Sequence, residues 1–286
     1  MSDNADRPNL RRHLIAFDLD GTLAETKSPV SEPMARLLEK LLTRFEVCVI
    51  SGGKFEQFRV QLIDRLHVGP DLLSRLHVMP TSGARYLRYD LSVQDWVVQY
   101  ADDLPLKVRA EVAGALVAAA ERLGYWEPNP TGPIIEDRGS QITFSALGQE
   151  ATADRKFAWD PTGTKKLALR DFVARELPDF EVRVGGTTSI DVTRTGIDKA
   201  YGMRRLMDHL GISKGEILFF GDKLESGGND HPVKALGIDT IAVDDWKGTA
   251  VAIRAILAVT AECGTPDRGT DESPRRPITK LTATAE

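Results

Sequence analysis

Three short apolar runs, each ending abruptly in polar or small residues, most constrain how this chain can fold. Residues 13–17 (HLIAF) give way to Asp18-Leu19-Asp20-Gly21-Thr22, residues 46–50 (EVCVI) to Ser51-Gly52-Gly53, and residues 216–220 (EILFF) to Gly221-Asp222-Lys223. An apolar run without alternation suits a strand buried on both faces, as in a parallel sheet covered by helices. The segments between fit that architecture. Ser31 with Pro33 opens a helix predicted over 32–43, a second helix is predicted over 54–66, and a strand over 76–79 runs into Thr81-Ser82-Gly83. Strands alternating with helices predict an α/β fold on a parallel sheet.

The pattern changes near residue 85. Strands are predicted over 85–90 and 95–100, an Ala-rich helix over 105–123, and a hairpin in which IIEDR and QITFSAL flank Gly139-Ser140. A helix over 163–177 and strands over 180–184 and 188–193 follow, so an α+β unit is expected as an insertion. The α/β pattern then resumes with a helix over 198–210, a strand over 216–220, a short helix over 232–236, a strand over 239–243 and a helix over 247–259. This reading assigns 1–85 and 194–262 to the α/β core and 86–193 to the insertion. Residues 263–286, polar and without period, are expected to be a disordered tail.

Composition removes several function classes. A net charge of −5 with no basic stripe gives no footprint for nucleic acid. No stretch approaches the roughly 20 apolar residues that cross a bilayer. The opening MSDNADRPNLRRH has no apolar segment of the signal-peptide kind. Of the two cysteines, Cys48 sits in an apolar run and reads as a small buried hydrophobe, and Cys263 lies near the tail. No disulfide framework is expected, and a reducing cytoplasm is the expected location.

Four places carry chemistry. Asp18 and Asp20 stand two apart at a strand's end, so both carboxylates can face one way; one can attack phosphorus and the other move a proton. Alone, the pair reads equally well as an acidic turn. Ser51-Gly52-Gly53 offers a hydroxyl and backbone N–H groups ahead of a helix, which suits an anion, although alone it is more often a plain helix cap with a Gly turn. Lys199 opens a helix in Gly196-Ile197-Asp198-Lys199, where it can offset a carboxylate and a phosphoryl oxygen, although a single Lys is ordinarily a solvated charge. Asp222 ends a buried strand and can complete a Mg²⁺ site, with Gly227-Gly228 folding Asn229 and Asp230 back toward it. The order carries the argument: each group follows an apolar strand or opens a helix, as one composite site at a sheet's C-terminal edge requires.

These four elements resemble the motifs of the haloacid dehalogenase superfamily in their usual order. FFGDKLESGGND, GGTTSIDVTRTGIDK, EDRGSQITFSALG and ISGG further resemble the eukaryotic-type phosphomannomutase family, over about residues 13–260. The resemblance implies a Rossmann-like α/β core whose inserted α+β unit is a cap of the superfamily's type IIB. Asp18 is then the nucleophile that becomes an aspartyl phosphate, and Asp20 the general acid/base. Asp18, the backbone carbonyl of Asp20 and Asp222 bind Mg²⁺, supported by Asn229 and Asp230. Ser51 and Lys199 hold the transferring phosphoryl group, with Gly52 beside it. In the cap, Arg138 grips the distal phosphate while Ser189 and Asp191 take sugar hydroxyls. Two positions depart from the mutase pattern: Gln149 stands where Arg is usual, and Lys27 replaces a second Arg, keeping charge without the bidentate fork.

The reaction so implied interconverts hexose 6-phosphate and hexose 1-phosphate, with mannose as the first choice of sugar. A sugar-phosphate phosphatase using the same Asp18 is the alternative, modestly favoured by Gln149, and a non-catalytic binding protein ranks third. A homodimer through the cap is implied by similarity alone.

Overall fold

The structure, a computed structural model, describes residues 12–260. Cys263 and the tail expected over 263–286 lie outside the described residues.

The first half of the chain runs β1 (Leu14–Phe17), α1 (Glu32–Leu42), β2 (Glu46–Ile50), α2 (Phe55–Gln61), α3 (Pro70–Leu73), β3 (Leu76–Met79), β4 (Arg85–Asp90) and β5 (Asp95–Ala101). After the insertion come α7 (Lys199–Leu210), β10 (Ile217–Gly221), α8 (His231–Ala235), β11 (Asp239–Ala242) and α9 (Trp246–Val259). One seven-stranded sheet results, in the order β11-β10-β1-β2-β3-β4-β5. Pairing is parallel from β11 through β3. β1 sits between β2 and β10, so the chain leaves it toward one edge and returns on its other side. That reversal opens a crevice at the strands' C-terminal ends, where ligands of such sheets bind.

Each central strand is buried on both faces because alternate residues enter different cores. Ile15, Phe17, Val47 and Val49 pack with α1 and α9 through Leu38, Leu41 and Ile253. Leu14, Ala16, Cys48 and Ile50 pack with α7 through Met203 and Leu206. Cys48 is the buried small hydrophobe its apolar run predicted.

The inserted unit holds α4 (Leu106–Arg122), β6 (Ile135–Asp137), β7 (Gln141–Ser145), α5 (Ala153–Trp159), α6 (Thr164–Glu176), β8 (Phe180–Val184) and β9 (Ser189–Arg194). Its four strands form a separate antiparallel sheet in the order β6-β7-β9-β8. One face of that sheet, carrying Ile142, Phe144, Ile190 and Val192, packs on Leu116 and Ala120 of α4 and Leu169 and Val173 of α6. The opposite face carries Gln141, Thr143, Ser145, Ser189 and Asp191 and is turned toward the core.

One boundary needs correction. The insertion was expected to begin at residue 86, yet β4 and β5 belong to the core sheet, β4 pairing antiparallel with β3. The single turn Thr81–Gly83 leaves no room for a crossover, so the chain can only double back on the same sheet. The separate sheet starts at Ile135. The sequence pattern did not signal α3 or α5, both too short to show a helical period. No described helix is long and apolar enough to cross a membrane.

Candidate active site

The C-terminal ends of β1, β2 and β10 converge with the start of α7 on one cluster. Asp18 directly follows β1, and its N–H donates to the Phe220 carbonyl at 2.9 Å, extending the strand pairing to Asp18 itself. The loop beyond is closed by Gly21 N–H to the Ala24 carbonyl at 2.7 Å and anchored from α9 by Thr249 Oγ1 on the Thr22 carbonyl at 2.7 Å. Gly21 has φ +90°, and a Cβ there would lie 2.4 Å from Asp222 Oδ2. The turn and the approach of Asp222 both require glycine.

Lys199, the first residue of α7, donates to Asp18 Oδ1 and, at 2.6 Å, to Asp230 Oδ1. The helix start is fixed by Asp198, whose side chain accepts from Tyr201 N–H at 2.7 Å. Its approach to the core depends on two glycines: a Cβ on Gly202 would lie 2.8 Å from Gly83 Cα. Asp230 is fully buried at the end of a tight loop, accepting from Lys223 N–H at 3.1 Å, while Asn229 beside it stands exposed.

Asp18, Asp222 and Asp230 each bring a carboxylate oxygen within 4.8 Å of the others, against the buried ammonium of Lys199 and, at the exposed side, Lys223 Nζ 3.6 Å from Asp222 Oδ2. Asp222 Oδ1 is buried with no hydrogen-bond partner. Burial raises the Asp18 carboxyl to about 7 against the pull of Lys199, with Asp230 and Asp222 adding to the rise. Burial raises Asp222 as well. Burial works against the Lys199 charge, but Asp18 and Asp230 overcome it and hold the ammonium above its ordinary value. Excess negative charge, an orphaned carboxylate oxygen and an all-oxygen donor set fit a hard divalent cation such as Mg²⁺. Asp230 thus stands within the carboxylate cluster itself, closer to the centre than the supporting role expected of it.

Asp20 faces the other way. Its Oδ1 accepts from Lys27 N–H at 2.7 Å and from Gln61 Nε2 at 3.2 Å, and its Oδ2 from Gln57 Nε2 at 3.4 Å. The residue is partly exposed, unlike the buried Asp18. Ser51 is buried at the end of β2, with its Oγ 3.5 Å from Gly53 N.

The inserted unit closes directly over this edge. Arg138 Nη1 donates to the Gly52 carbonyl at 2.6 Å, and Gln141 Nε2 reaches the same carbonyl at 3.3 Å. Ser140 Oγ donates to Thr81 Oγ1 at 2.8 Å, and Lys54 pairs with Glu136 at 2.9 Å. Arg138 is not free to grip a phosphate in this arrangement, because Glu136 also accepts from its Nε at 2.8 Å and its Nη2 at 2.6 Å. Asp191 accepts from Thr143 Oγ1 at 2.7 Å and points toward Gly52, within 3.9 Å of the place a Cβ there would occupy. Burial raises its carboxyl, with Arg138 opposing. Ser189 is buried two residues earlier on the same face. Gln57, Gln61, Gln141 and Thr143 were missed in the sequence. The period-2 spacing of Gln141, Thr143 and Ser145 was the available signal for the last two.

The arrangement has counterparts. A haloacid dehalogenase-like hydrolase from Bacteroides thetaiotaomicron superposes with a TM-score of 0.59 at 17% identity, covering 86% of this chain and 100% of that one. This chain has a haloacid dehalogenase-like fold. IMP-bound IMP-nucleotidase from Plasmodium falciparum shares the fold at a TM-score of 0.63 and 14% identity, over 87% of this chain and 69% of that one. By sequence, the eukaryotic phosphomannomutase family profile matches residues 123–256 of this haloacid dehalogenase-like protein. A phosphomannomutase from Saccharomyces cerevisiae is 26% identical over 228 residues, 77% of this chain and 84% of that protein. A probable phosphomannomutase from Caenorhabditis elegans is 23% identical over 253 residues, 80% and 88% of the two chains.

Proposed function

We propose that this protein is a Mg²⁺-dependent phosphohexomutase that interconverts hexose 6-phosphate and hexose 1-phosphate, mannose preferred, through a phosphoryl group carried on Asp18. The observation that carries the reading is the buried Asp18 carboxylate, paired with Lys199 and clustered with Asp222 and Asp230, beneath a cap that closes on the same sheet edge. The similarity to phosphomannomutases over both core and cap supports the choice of reaction.

Bound by Asp18, Asp222 and Asp230 with the Asp20 carbonyl, Mg²⁺ would supply positive charge to offset the repulsion between nucleophile and phosphate. The chain's own groups do the rest. Asp18 attacks phosphorus, and Lys199 with Ser51 steadies the transferring oxygens. Asp20, aimed by Gln61 and the Lys27 N–H, gives its proton to the departing sugar oxygen and takes one from the sugar's other hydroxyl in the return step. Ser189 and Asp191, on the polar face of the cap sheet, receive sugar hydroxyls. A mutase must keep water from the phospho-aspartate, and the core–cap hydrogen bonds through Arg138, Gln141 and Ser140 support a cap that shuts on the core. The chemistry suits a cytoplasmic pool of sugar phosphates.

Hydrolysis is the second reading, favoured by Gln149 in place of a fixed cation. One assay separates the two. Mannose 1-phosphate is supplied with Mg²⁺ and a trace of glucose 1,6-bisphosphate, and hexose 6-phosphate and free phosphate are followed together. The mutase reading expects hexose 6-phosphate to form much faster than phosphate, and Asp18→Asn to abolish both. Dominant release of phosphate would make the protein a phosphatase.

A further inference from the structure

The chain crosses between core and cap twice. It leaves from Ala101 at the end of β5 to Leu106 at the start of α4, and returns from Arg194 at the end of β9 to Lys199 at the start of α7. The two crossings are held by different bodies. The first is bound to the core: Asp102 N–H donates to the Ala84 carbonyl at 2.9 Å, and Asp103 takes a bidentate pair from Arg85, Nε at 2.9 Å and Nη2 at 2.6 Å. The second is bound to the cap almost to its end. Thr195 Oγ1 donates to the Asp179 carbonyl at 3.0 Å, and Arg183 Nη1 to the Ile197 carbonyl at 3.2 Å. Gly196 lies between those two contacts at φ +85°, and a Cβ there would meet none of the described residues within 4 Å.

Lys199 stands where these two bodies meet. Its ammonium belongs to the core, pairing with Asp18 and Asp230, yet only Asp198 separates it from Ile197, which the cap holds. Arg183 Nη2 also lies 3.8 Å from Asp198 Oδ2, so the cap reaches the residue that caps α7. When a cap moves, a few residues at its crossings absorb the change in φ and ψ. The covalent chain alone would pass that change on to Lys199. Tyr201 opposes it from within the first turn of α7. Its Oη donates to Asp102 Oδ2 at 2.6 Å, a short bond to a charged acceptor and of the stronger kind. Arg205, one turn further along α7, donates from Nη1 to Tyr201 Oη at 2.9 Å and lies 3.4 Å from Asp102 Oδ2. Its guanidinium carbon stands 4.1 Å from the centre of the Tyr100 ring on β5, a cation–π contact that fastens the helix to the same strand end. The start of α7 is thereby tied to the crossing that the core holds.

We propose that Tyr201 is a positioning residue: through its bond to Asp102 it keeps Lys199 against Asp18 while the cap moves. Tyr201 acts through Lys199 and not on a substrate itself. Its effect on turnover rests on the proposed phosphoryl transfer, whereas the anchoring of Lys199 rests on the bonds at the two crossings alone.

The test compares the full chain with Tyr201→Phe, which deletes only the hydroxyl. Lysines are acetylated with acetic anhydride in EDTA and the modified positions mapped by mass spectrometry. Lys199 should acetylate at least about fivefold faster in Tyr201→Phe, because local opening exposes it. Lys156, also buried but in the cap, should label at the wild-type rate. Asp102→Ala should match Tyr201→Phe, and the double variant should be no worse than either, since both remove one bond. With mannose 1-phosphate, kcat of Tyr201→Phe should fall at least about fivefold with KM little changed. Unchanged labelling of Lys199, or labelling of Lys156 that rises in step with it, would overturn the inference. So would wild-type kcat in Tyr201→Phe. If wild type turns over no hexose phosphate, the proposed function falls and labelling alone decides the role of Tyr201. Turnover by wild type with no effect of Tyr201→Phe on labelling would leave the function and remove the role.

Discussion

Lys199 donates to Asp230 at 2.6 Å, and both side chains are buried beneath the cleft. The same ammonium serves Asp18, so one cation holds two carboxylates while Asp222 stands within 4.8 Å of both. Removing one partner of a buried ion pair leaves uncompensated charge and costs about 3–5 kcal/mol. Lys199→Met should therefore lose stability of that order in urea unfolding with EDTA. Adding Mg²⁺ should recover more stability in the variant than in wild type, because the cation then replaces the missing charge. An unchanged unfolding midpoint in EDTA would mean that the pair is not buried as described.

Gly21→Ala addresses the metal site through the backbone. The new methyl meets Asp222 Oδ2 at 2.4 Å, and φ +90° disfavours any side chain. The variant should lose more than about 1 kcal/mol in thermal unfolding and require at least tenfold more Mg²⁺ for half-maximal activity. Wild-type Mg²⁺ dependence in this variant would show that Asp222 is not a metal ligand.

Gln61 acts through Asp20. It is buried, and its Nε2 donates both to Asp20 Oδ1 at 3.2 Å and to the Ser28 carbonyl at 2.9 Å, locking the carboxylate's orientation. General acid–base catalysis contributes about 10²–10⁴-fold. Gln61→Met should forfeit about tenfold or more of that in kcat, with little change in KM, and shift the pH–rate profile. A change in KM alone would assign Gln61 to substrate binding.

His77 makes the fold sensitive to acid. Its Nδ1 lies 2.8 Å from the Tyr86 hydroxyl and its Nε2 3.0 Å from Glu46 Oε2, an arrangement satisfied by a neutral ring donating to Glu46 and accepting from Tyr86. Burial lowers the His77 pKa, partly opposed by Glu46. The unfolded chain therefore binds more protons, and the stability this group contributes is present above its ordinary pKa of about 6.5 and declines as pH falls below that value. Unfolding midpoints measured from pH 8 down to pH 5 should fall in wild type and fall less steeply in His77→Gln. Parallel slopes would place the acid sensitivity elsewhere.

The core and its site were legible because parallel strands write themselves as unbroken apolar runs, and Asp18, Ser51 and Asp222 each follow one. The inward turn of Asp230 was readable from Gly227-Gly228, but its bond to Lys199 was not, since that pairing joins the loop after β10 to the start of α7, on the other side of that strand in the chain. Sequence placed β4 and β5 in the cap because strand propensity does not say which sheet a strand joins; the short Thr81–Gly83 turn decides that. Gln149 and Lys27 stood out as single departures, and only the folded chain shows them bonded to each other with Lys156 alongside. Lys156 carried no signal of its own, because a lysine in a seven-residue helix is ordinarily solvated.

The central claim is that Asp18 carries the phosphoryl group. The most direct measurement is intact mass spectrometry, with peptide mapping, of protein quenched in acid within milliseconds of mixing with glucose 1,6-bisphosphate and Mg²⁺. The account predicts a gain of one phosphoryl group on the peptide containing Asp18, and none in Asp18→Asn. Turnover by wild type with no phosphorylated peptide, or continued turnover by Asp18→Asn, would contradict it.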